Sequence, residues 1–301
     1  MSNNNLILNR LFTKQFINNL VKNTKNNIYV STIHQYLDDY YDCNNREIIS
    51  NIYKYMSKNY RNEYFYQNTL FNKLLLGRHS LKTTTALSQI PIERSKADFI
   101  LINGKAVVYE IKTELDTFDR LSTQLNDYYK AFNYVYVVTC EENIEKISQM
   151  LENTTVGICI LSKSNTLQFK KEADINNKFL NHRSLFKILR KNEFEHILQK
   201  YFGNLPKATP AFYYEECYKK FETIKIEKAY ELFLIELKKR NGNIPKTEFQ
   251  WVPYELKSIM YFSGASHSQY DNLKKFLNTT YKEAYSCISH IYEEGNMNCS
   301  H

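Results

Sequence analysis

The chain has 301 residues, of which 43% are hydrophobic and 24% are charged. This composition is that of a globular protein and excludes a disordered or fibrous chain. The formal net charge is +8 and the pI is near 8.9. Because the positive excess is modest and spread along the sequence, it gives only weak support for a polyanionic partner.

Cysteines and apolar runs indicate the expected compartment. None of the six cysteines shows the spacing of a zinc site. The sequence contains no signal peptide and no apolar run of about 18 residues that would cross a membrane. We therefore expect a reduced, cytoplasmic setting without a membrane partner.

The N-terminal third has the apolar spacing of helices. Helical periodicity marks four segments: Asn4–Lys22, Thr32–Tyr41, Asn45–Asn59 and Glu63–Leu76. Residues 1–62 are expected to form a helical N-terminal segment.

The middle of the chain changes to strand patterns. A strand over Ala97–Ile102 is followed by Asn103-Gly104, a two-residue hairpin signal, and by a second strand over Lys105–Lys112. Helices and strands then alternate over Asp119–Phe132, Tyr134–Thr139, Glu141–Leu151, Val156–Leu161 and Leu167–Lys170. This order predicts an α/β core over residues 63–175, with a mixed sheet flanked by helices.

Strand patterns stop after about Asn176. Helices are predicted over Arg183–Tyr201, Pro210–Lys220, Ile224–Arg240, Pro253–Phe262 and Gln269–Glu293. An all-helical C-terminal module is therefore expected over residues 176–301.

A charged pair ends the second strand of the predicted hairpin. In the stretch YEIKTELD, Glu110 and Lys112 are two residues apart and share one face of the strand. Across the predicted turn, Asp98 lies opposite Val108 to Glu110, so two carboxylates converge and form half a shell for Mg²⁺. Lys112 would orient a water or offset charge on a transferring phosphate. A lone Glu-x-Lys pair is otherwise typical of the surface of an edge strand.

The helix after this strand carries a second motif. Gln124 and Tyr128, in QLNDY, lie four residues apart and share a helix face. Together with Asp98 and Glu110-Ile111-Lys112, they resemble the PD-(D/E)XK nuclease superfamily, in particular its RecB-like branch with a Q-x-x-x-Y motif. Residues from about 63 to 170 also resemble a group of bacterial stand-alone nuclease-like proteins.

This resemblance implies a restriction-endonuclease-like fold and the hydrolysis of phosphodiester bonds, most often in DNA, with Mg²⁺ or Mn²⁺ as the cofactor. The implied metal ligands are Asp98, Glu110 and the backbone carbonyl of Ile111. Lys112 would serve the attacking water, while Gln124 and Tyr128 would steady the site or the substrate strand.

An upstream acidic ligand, common in the superfamily, has several candidates. Glu63 is one by its order in the chain, on the helix before the sheet. Relatives of the bacterial group carry a glutamate where this chain has Gln89, and this amide is expected to weaken metal affinity. Glu93 is another candidate. The residue before Asp98 is Ala97 instead of proline, a common variation in the superfamily.

Charges outside the motif have two interpretations each. Asp116, Asp119 and Arg120 either favour the start of the following helix or lie near the metal. The basic stretch 163–191, with Lys187, Arg190 and Lys191 as nucleic-acid-binding candidates, is either a solvated face or a surface that follows a nucleic-acid backbone.

Two other functions stay open. A catalytically weak or inactive nuclease fold would bind nucleic acid or a protein without cutting it. An RNA nuclease would use the same residues, because the site recognises phosphate and not the sugar. If the basic stretch 163–191 is only a solvated face, the C-terminal module is expected to hold a protein partner or a second copy of the chain. The settings that fit are DNA repair, mobile-element processing and phage defence.

Overall fold

The computed structural model describes residues 3–21, 27–240 and 244–281. The chain divides into two compact units, one formed by residues 1–68 with 244–301 and the other by residues 69–243. These units differ from the three consecutive segments expected from the sequence, because the helices after residue 176 are divided between them.

The elements of the described residues are as follows in chain order. The α-helices are α1 (Leu8–Leu11), α2 (Lys14–Val21), α3 (Asn27–Tyr36), α4 (Asn45–Asn59), α5 (Glu63–Leu70), α6 (Leu121–Tyr129), α7 (Ile144–Leu151), α8 (His182–Ile188), α9 (Lys191–Phe202), α10 (Pro210–Glu222), α11 (Ile226–Lys239), α12 (Lys246–Trp251), α13 (Lys257–Ser263) and α14 (His267–Asn278). A π-helix continues α5 over Phe71–Leu76, and short 3-10 helices cover Asn3–Ile7, Glu141–Asn143 and Tyr254–Leu256. The strands are β1 (Thr85–Ile92), β2 (Ser95–Asn103), β3 (Lys105–Lys112), β4 (Tyr134–Thr139), β5 (Gly157–Leu161) and β6 (Leu167–Lys171).

Buried asparagines join the two ends of the chain within the first unit. The side chain of Asn45, at the start of α4, donates to the carbonyl of Phe276 at 3.1 Å and accepts from the Tyr29 hydroxyl at 2.8 Å. Asn68 is also buried and donates to the carbonyl of Tyr254 at 3.0 Å. A buried amide without partners would be costly, so these bonds specify the association of α12–α14 with the N-terminal helices.

The second unit is built on a six-stranded sheet in the order β1-β2-β3-β4-β5-β6. The first three strands are antiparallel neighbours, β3, β4 and β5 run parallel, and β6 returns antiparallel to β5. Helices α6 and α7 provide the crossovers that parallel neighbours require. The sheet is therefore mixed, as the order of predicted elements indicated.

One face of the sheet is buried under helices. Alternate residues of the central strands, including Ile100, Val108, Val137 and Ile158, lie in one continuous core. Helices α6 to α11 contribute to the same core, with Leu125, Ile147, Phe186, Phe194, Phe221 and Phe233 among their buried side chains. The expected α/β architecture with flanking helices is confirmed, but α8–α11 complete the core of the sheet and do not form a separate module with the later helices.

Strand β1 is absent from the predicted elements. Its sequence, TALSQIPI, contains Ser88, Gln89 and Pro91, which are poor strand formers. The strand nevertheless pairs with β2 at the edge of the sheet, where a proline is tolerated.

The helix predicted over Arg183–Tyr201 is two helices, α8 and α9. Leu189 has extended backbone angles that end α8, and the Glu193 carboxylate accepts the N–H of Arg190 at 2.7 Å, which caps α9. The helix predicted over Gln269–Glu293 corresponds to α14, which ends at Asn278 because Thr279 has extended backbone angles. The predicted residues after 281 lie outside the described residues. None of the described helices has the length and apolar character that a bilayer span requires.

Candidate active site

Strands β2 and β3 bring two carboxylates to the same end of the sheet. Only Gly104, with φ +73°, separates the strands, and Phe99 pairs with Tyr109. The connection is thus one residue shorter than the expected two-residue turn, and the pairing of Asp98 falls within the expected range of Val108 to Glu110. In the observed register Asp98 reaches the level of Glu110, and opposing residues of an antiparallel pair share a face. A slip of one residue would have put the two carboxylates on opposite faces.

The carboxylate of Glu110 is the centre of a polar network between β3 and α6. The residue is only 1% exposed. The side chain of Gln124 donates to Oε1 at 2.5 Å, and the Tyr128 hydroxyl donates to Oε2 at 2.5 Å. The ammonium of Lys112 lies 3.0 Å from Oε1. These three donors offset the cost of burying the charge.

The amide of Gln124 connects the two charged residues of the Glu-x-Lys pair. It accepts from Lys112 Nζ at 2.9 Å while its NH₂ group donates to Glu110. The Lys112 side chain is 10% exposed, and β3 lies between β2 and β4 in the interior of the sheet. This position excludes the alternative of a solvated pair on an edge strand.

The second carboxylate, that of Asp98, accepts a hydrogen bond from the backbone of β3, the strand that carries Glu110. Its Oδ2 accepts the N–H of Ile111 at 2.8 Å, just past the last ladder pair between β2 and β3. Its Oδ1 lies 3.4 Å from the side-chain nitrogen of Gln89. Gln89 has φ +55°, a left-handed conformation that residues other than glycine rarely adopt. Strand β1 is thus distorted at the residue that faces Asp98.

Both carboxylates affect the pKa of the Tyr128 hydroxyl. Burial raises the pKa of the phenol, and the negative charges of Glu110 and then Asp98 raise it further. The phenol therefore stays neutral at physiological pH and remains a hydrogen-bond donor to Glu110.

Glu63 and Glu93 were the candidates for an upstream acid. Glu63 is an exposed residue at the start of α5 and belongs to the first compact unit, whereas the network around Glu110 belongs to the second. Glu93 lies in the turn between β1 and β2, where it accepts from the Ser184 hydroxyl at 2.8 Å and lies 3.6 Å from Lys187 Nζ. The carboxylate of Glu93 is thus engaged with α8.

The acidic residues before α6 have mainly local roles. Asp116 accepts both the backbone N–H and the hydroxyl of Thr113, at 2.8 Å and 2.7 Å, which closes the turn after β3. Asp119 and Arg120 are exposed, and Arg120 precedes α6 without a side-chain capping bond. The structure therefore supports a turn role for Asp116.

The basic candidates lie on α8 and α9. Lys187, Arg190 and Lys191 are all exposed. Lys187 faces Glu93, and Lys191 Nζ lies 3.9 Å from Glu195. They form a solvated surface whose charges are partly offset.

The sequence motifs did not reveal a second polar group at this edge of the sheet. Glu114, Cys140 and Glu142 follow β3 and β4, and their ligand atoms lie within 4.8 Å of one another. Burial raises the pKa of the Cys140 thiol, and Lys163 Nζ pairs with Glu142 at 2.7 Å. The group by itself is no evidence of a metal, because exposed acidic groups are common without one.

A family model described as bacteriophage P4 protein cII matches residues 56–249, which is more than half of the chain. The chain belongs to this family. The part that matches the P4 cII family contains all six strands and the whole network around Glu110. No curated protein and no solved structure matches the chain.

Proposed function

We propose that this protein is a divalent-metal-dependent nuclease that hydrolyses phosphodiester bonds, with DNA as the expected substrate. The observation that supports it best is the buried carboxylate of Glu110, held beside Lys112 with Asp98 at the same end of the β2–β3 hairpin. A buried ion pair contributes little to stability compared with apolar packing. A role in metal binding or catalysis therefore explains this arrangement better than a contribution to the stability of the fold.

The donor atoms of this site suit Mg²⁺ or Mn²⁺. A carboxylate accepts about four hydrogen bonds, and the three donors on Glu110 leave it room for one further partner. An extended residue directs its N–H and C=O toward the same neighbouring strand, so the carbonyl of Ile111 faces the end of β2 together with its N–H. We expect Asp98, Glu110 and this carbonyl to hold the ion, because hard divalent cations prefer oxygen ligands.

A divalent ion held there supplies Lewis acidity toward a phosphate oxygen. Lys112 places a positive charge beside the same position, where it offsets the negative charge that develops on the phosphate during hydrolysis. Gln124 fixes the distance between Lys112 and Glu110, and Tyr128 fixes the orientation of Glu110. The side chains from α6 thus position the charged groups of β3.

The proposal is tested by incubating the purified protein with supercoiled DNA, linear duplex DNA, single-stranded DNA and single-stranded RNA. We expect cleavage with Mg²⁺ or Mn²⁺, no cleavage with EDTA, and a loss of about 100-fold or more in Glu110→Gln. The matched control is Glu142→Gln, which removes an exposed carboxylate at the same edge of the sheet.

The outcomes separate the three functions that the sequence leaves open. Binding of nucleic acid without cleavage would favour an inactive nuclease fold, and cleavage of RNA alone would favour an RNA nuclease. Cleavage by Glu110→Gln at the parent's rate would show that the network around Glu110 is not the active site. Membership of a family named for a bacteriophage protein is compatible with a role in mobile-element processing or phage defence.

A further inference from the structure

A second buried carboxylate on α6, that of Asp127, bonds to the start of β2. Asp127 precedes Tyr128 and is 5% exposed. Its Oδ2 accepts from the hydroxyl of Ser95 at 2.8 Å, and its Oδ1 accepts from Lys130 Nζ at 2.8 Å. Ser95 is the first residue of β2 and is itself 6% exposed. The bond between Ser95 and Asp127 therefore joins two elements in the interior of the second unit.

The Asp127 carboxyl is ionised at neutral pH. Burial acts to raise its pKa, but the hydrogen bonds from Lys130 and Ser95 outweigh this effect, and the pKa lies below its ordinary value. A hydrogen bond to an ionised acceptor is about twice as strong as one between neutral groups. The contact from Ser95 is thus a strong restraint on the start of β2.

Helix α6 contacts both strands that carry the proposed metal ligands. The backbone N–H of Arg94 also bonds to the Asp127 carboxylate. The Tyr128 hydroxyl lies 3.0 Å from the carbonyl of Lys96 and 2.5 Å from Glu110 Oε2. Neighbouring side chains of one helix therefore hold residues 94–96 before Asp98 on one side and Glu110 of β3 on the other.

Backbone pairing restrains Asp98 less than the rest of β2. The ladder between β2 and β3 ends at Phe99, one residue after Asp98. In the described ladder between β1 and β2, the pair of Gln89 with Asp98 is skipped, at the place where Gln89 has φ +55°. The bond from the N–H of Ile111 to the Asp98 carboxylate is a contact of this residue with β3. The contacts of residues 94–96 with α6 are thus a further restraint on where Asp98 lies relative to Glu110.

We infer that the hydrogen bond between Ser95 and Asp127 positions Asp98 for metal binding, by holding the start of β2 at the separation from Glu110 that Mg²⁺ requires. Mg²⁺ needs nearly ideal octahedral geometry with ligands at about 2.0–2.1 Å, whereas Ca²⁺ accepts looser geometry with ligands at about 2.3–2.6 Å. Loss of the bond therefore weakens Mg²⁺ binding more than Ca²⁺ binding. The inference rests on the metal site of the proposed nuclease and adds two positioning residues to it.

The test measures metal binding without cleavage. The melting temperature of the parent and of Ser95→Ala is titrated with MgCl₂ and, separately, with CaCl₂, and each titration yields an apparent dissociation constant. Contacts that orient metal ligands typically contribute about 10- to 100-fold to affinity. We expect Ser95→Ala to bind Mg²⁺ about 10-fold more weakly and Ca²⁺ with a smaller loss. Ser95→Thr keeps a hydroxyl and should retain most of the Mg²⁺ affinity.

The matched control is Ser50→Ala in the first unit. The Ser50 hydroxyl also donates to a carboxylate, that of Glu255, at 2.6 Å. Its loss should lower the melting temperature without metal but leave the affinities for both ions unchanged. Ser95→Cys, which keeps the side-chain volume but donates weakly, is measured beside Ser95→Ala, and circular dichroism checks the folding of every variant.

Three results would overturn the inference while the metal site stands: parent-like Mg²⁺ affinity in a folded Ser95→Ala or Ser95→Cys variant, equal losses for Mg²⁺ and Ca²⁺, or an equal loss of Mg²⁺ affinity in Ser50→Ala. A parent whose melting temperature does not respond to either ion would instead overturn the proposed metal site, and the inference with it. The two failures are therefore distinguished by the parent protein alone.

Discussion

The Glu110 carboxylate and the Tyr128 hydroxyl lie 2.5 Å apart and join β3 to α6 in the second unit. Gln124 is one helical turn before Tyr128 and donates to the other oxygen of the same carboxylate. Two side chains on one face of α6 therefore donate hydrogen bonds to both oxygens of the buried Glu110 carboxylate. The orientation of Glu110 is decided by how α6 packs on the sheet.

Removing the Tyr128 hydroxyl should therefore loosen this junction. A hydrogen bond to a charged group contributes about 1.5–3 kcal/mol. We expect Tyr128→Phe to lower the free energy of unfolding by about this amount and to reduce cleavage, as measured by urea denaturation and by the nuclease assay. The control is Tyr129→Phe, whose hydroxyl accepts from the neutral Thr155 at 2.9 Å. Equal losses in the two variants would speak against a special role for the Glu110 contact.

The metal is expected to stabilise the folded protein through Asp98. Two carboxylates at one place repel each other, and a divalent cation relieves this repulsion. An ion at about 100 times its dissociation constant would add about 2.7 kcal/mol of stability. We therefore expect Mg²⁺ or Mn²⁺ to raise the melting temperature of the parent, and Asp98→Asn to abolish this rise. Asp271→Asn, an exposed aspartate on α14, should keep it. A full rise in Asp98→Asn would exclude this residue as a ligand.

The amide of Gln89 offers a gain-of-function test. Its nitrogen lies 3.4 Å from Asp98 Oδ1, so Gln89→Glu would bring a third carboxylate to the site. We expect this variant to melt at a lower temperature without metal, because like charges repel, and to bind Mg²⁺ more tightly than the parent. Titration of the melting temperature with Mg²⁺ measures both effects, with Gln168→Glu on β6 as the control. No gain in affinity would show that residue 89 lies outside the coordination shell.

Lys112 is expected to act in the chemical step. Loss of a positive charge near a transferring phosphoryl group costs about 3 kcal/mol or more of transition-state stabilisation, which is a factor of about 100 in rate. We expect Lys112→Met to lose cleavage at saturating substrate and to bind nucleic acid nearly as well as the parent. Lys228→Met removes a lysine that pairs with Glu231 on α11 and should cleave normally. Normal cleavage by Lys112→Met would reduce Lys112 to a structural partner of Glu110.

A buried ion pair should make the second unit sensitive to acid. Arg240 donates to both oxygens of Glu193, at 2.7 Å and 2.5 Å, and both side chains are 7% exposed. Burial acts to raise the pKa of Glu193, but the hydrogen bonds from Arg240 and the N–H of Arg190 outweigh it, and the pKa lies below its ordinary value of 4.5. The stability from this pair is therefore complete above about pH 4.5 and is lost as the pH falls through the lowered pKa.

Breaking this pair leaves a buried charge unpaired, which costs about 3–5 kcal/mol. We expect Glu193→Gln to show that loss at pH 7 and a smaller difference from the parent at pH 3, in urea denaturation at both pH values. Glu215→Gln, whose partner Arg183 is partly exposed, should change stability much less at either pH. A constant difference between Glu193→Gln and the parent across pH would contradict the assignment of the acid sensitivity to Glu193.

The sequence by itself determined the order of the elements from β2 to α6 and the residues of the candidate site that they carry. The turn signal Asn103-Gly104 and the apolar run after it marked β3, and the four-residue spacing of Gln124 and Tyr128 placed both on one helix face. These signals are local, because side-chain direction follows directly from backbone period. Glu110 and Lys112 could therefore be assigned to one face of the strand from their spacing alone.

Only the tertiary structure decided the register between β2 and β3 and which elements of the chain pack against one another. The one-residue connection at Gly104 aligns Asp98 with Glu110, and the turn sequence alone favoured a different pairing. The bond from Glu93 to Ser184, and the division of the C-terminal helices between two units, depend on side chains more than 90 residues apart. Periodicity shows which face of an element is apolar but not which other element covers it. Long-range hydrogen bonds and packing make that choice, and no local pattern in the chain encodes them.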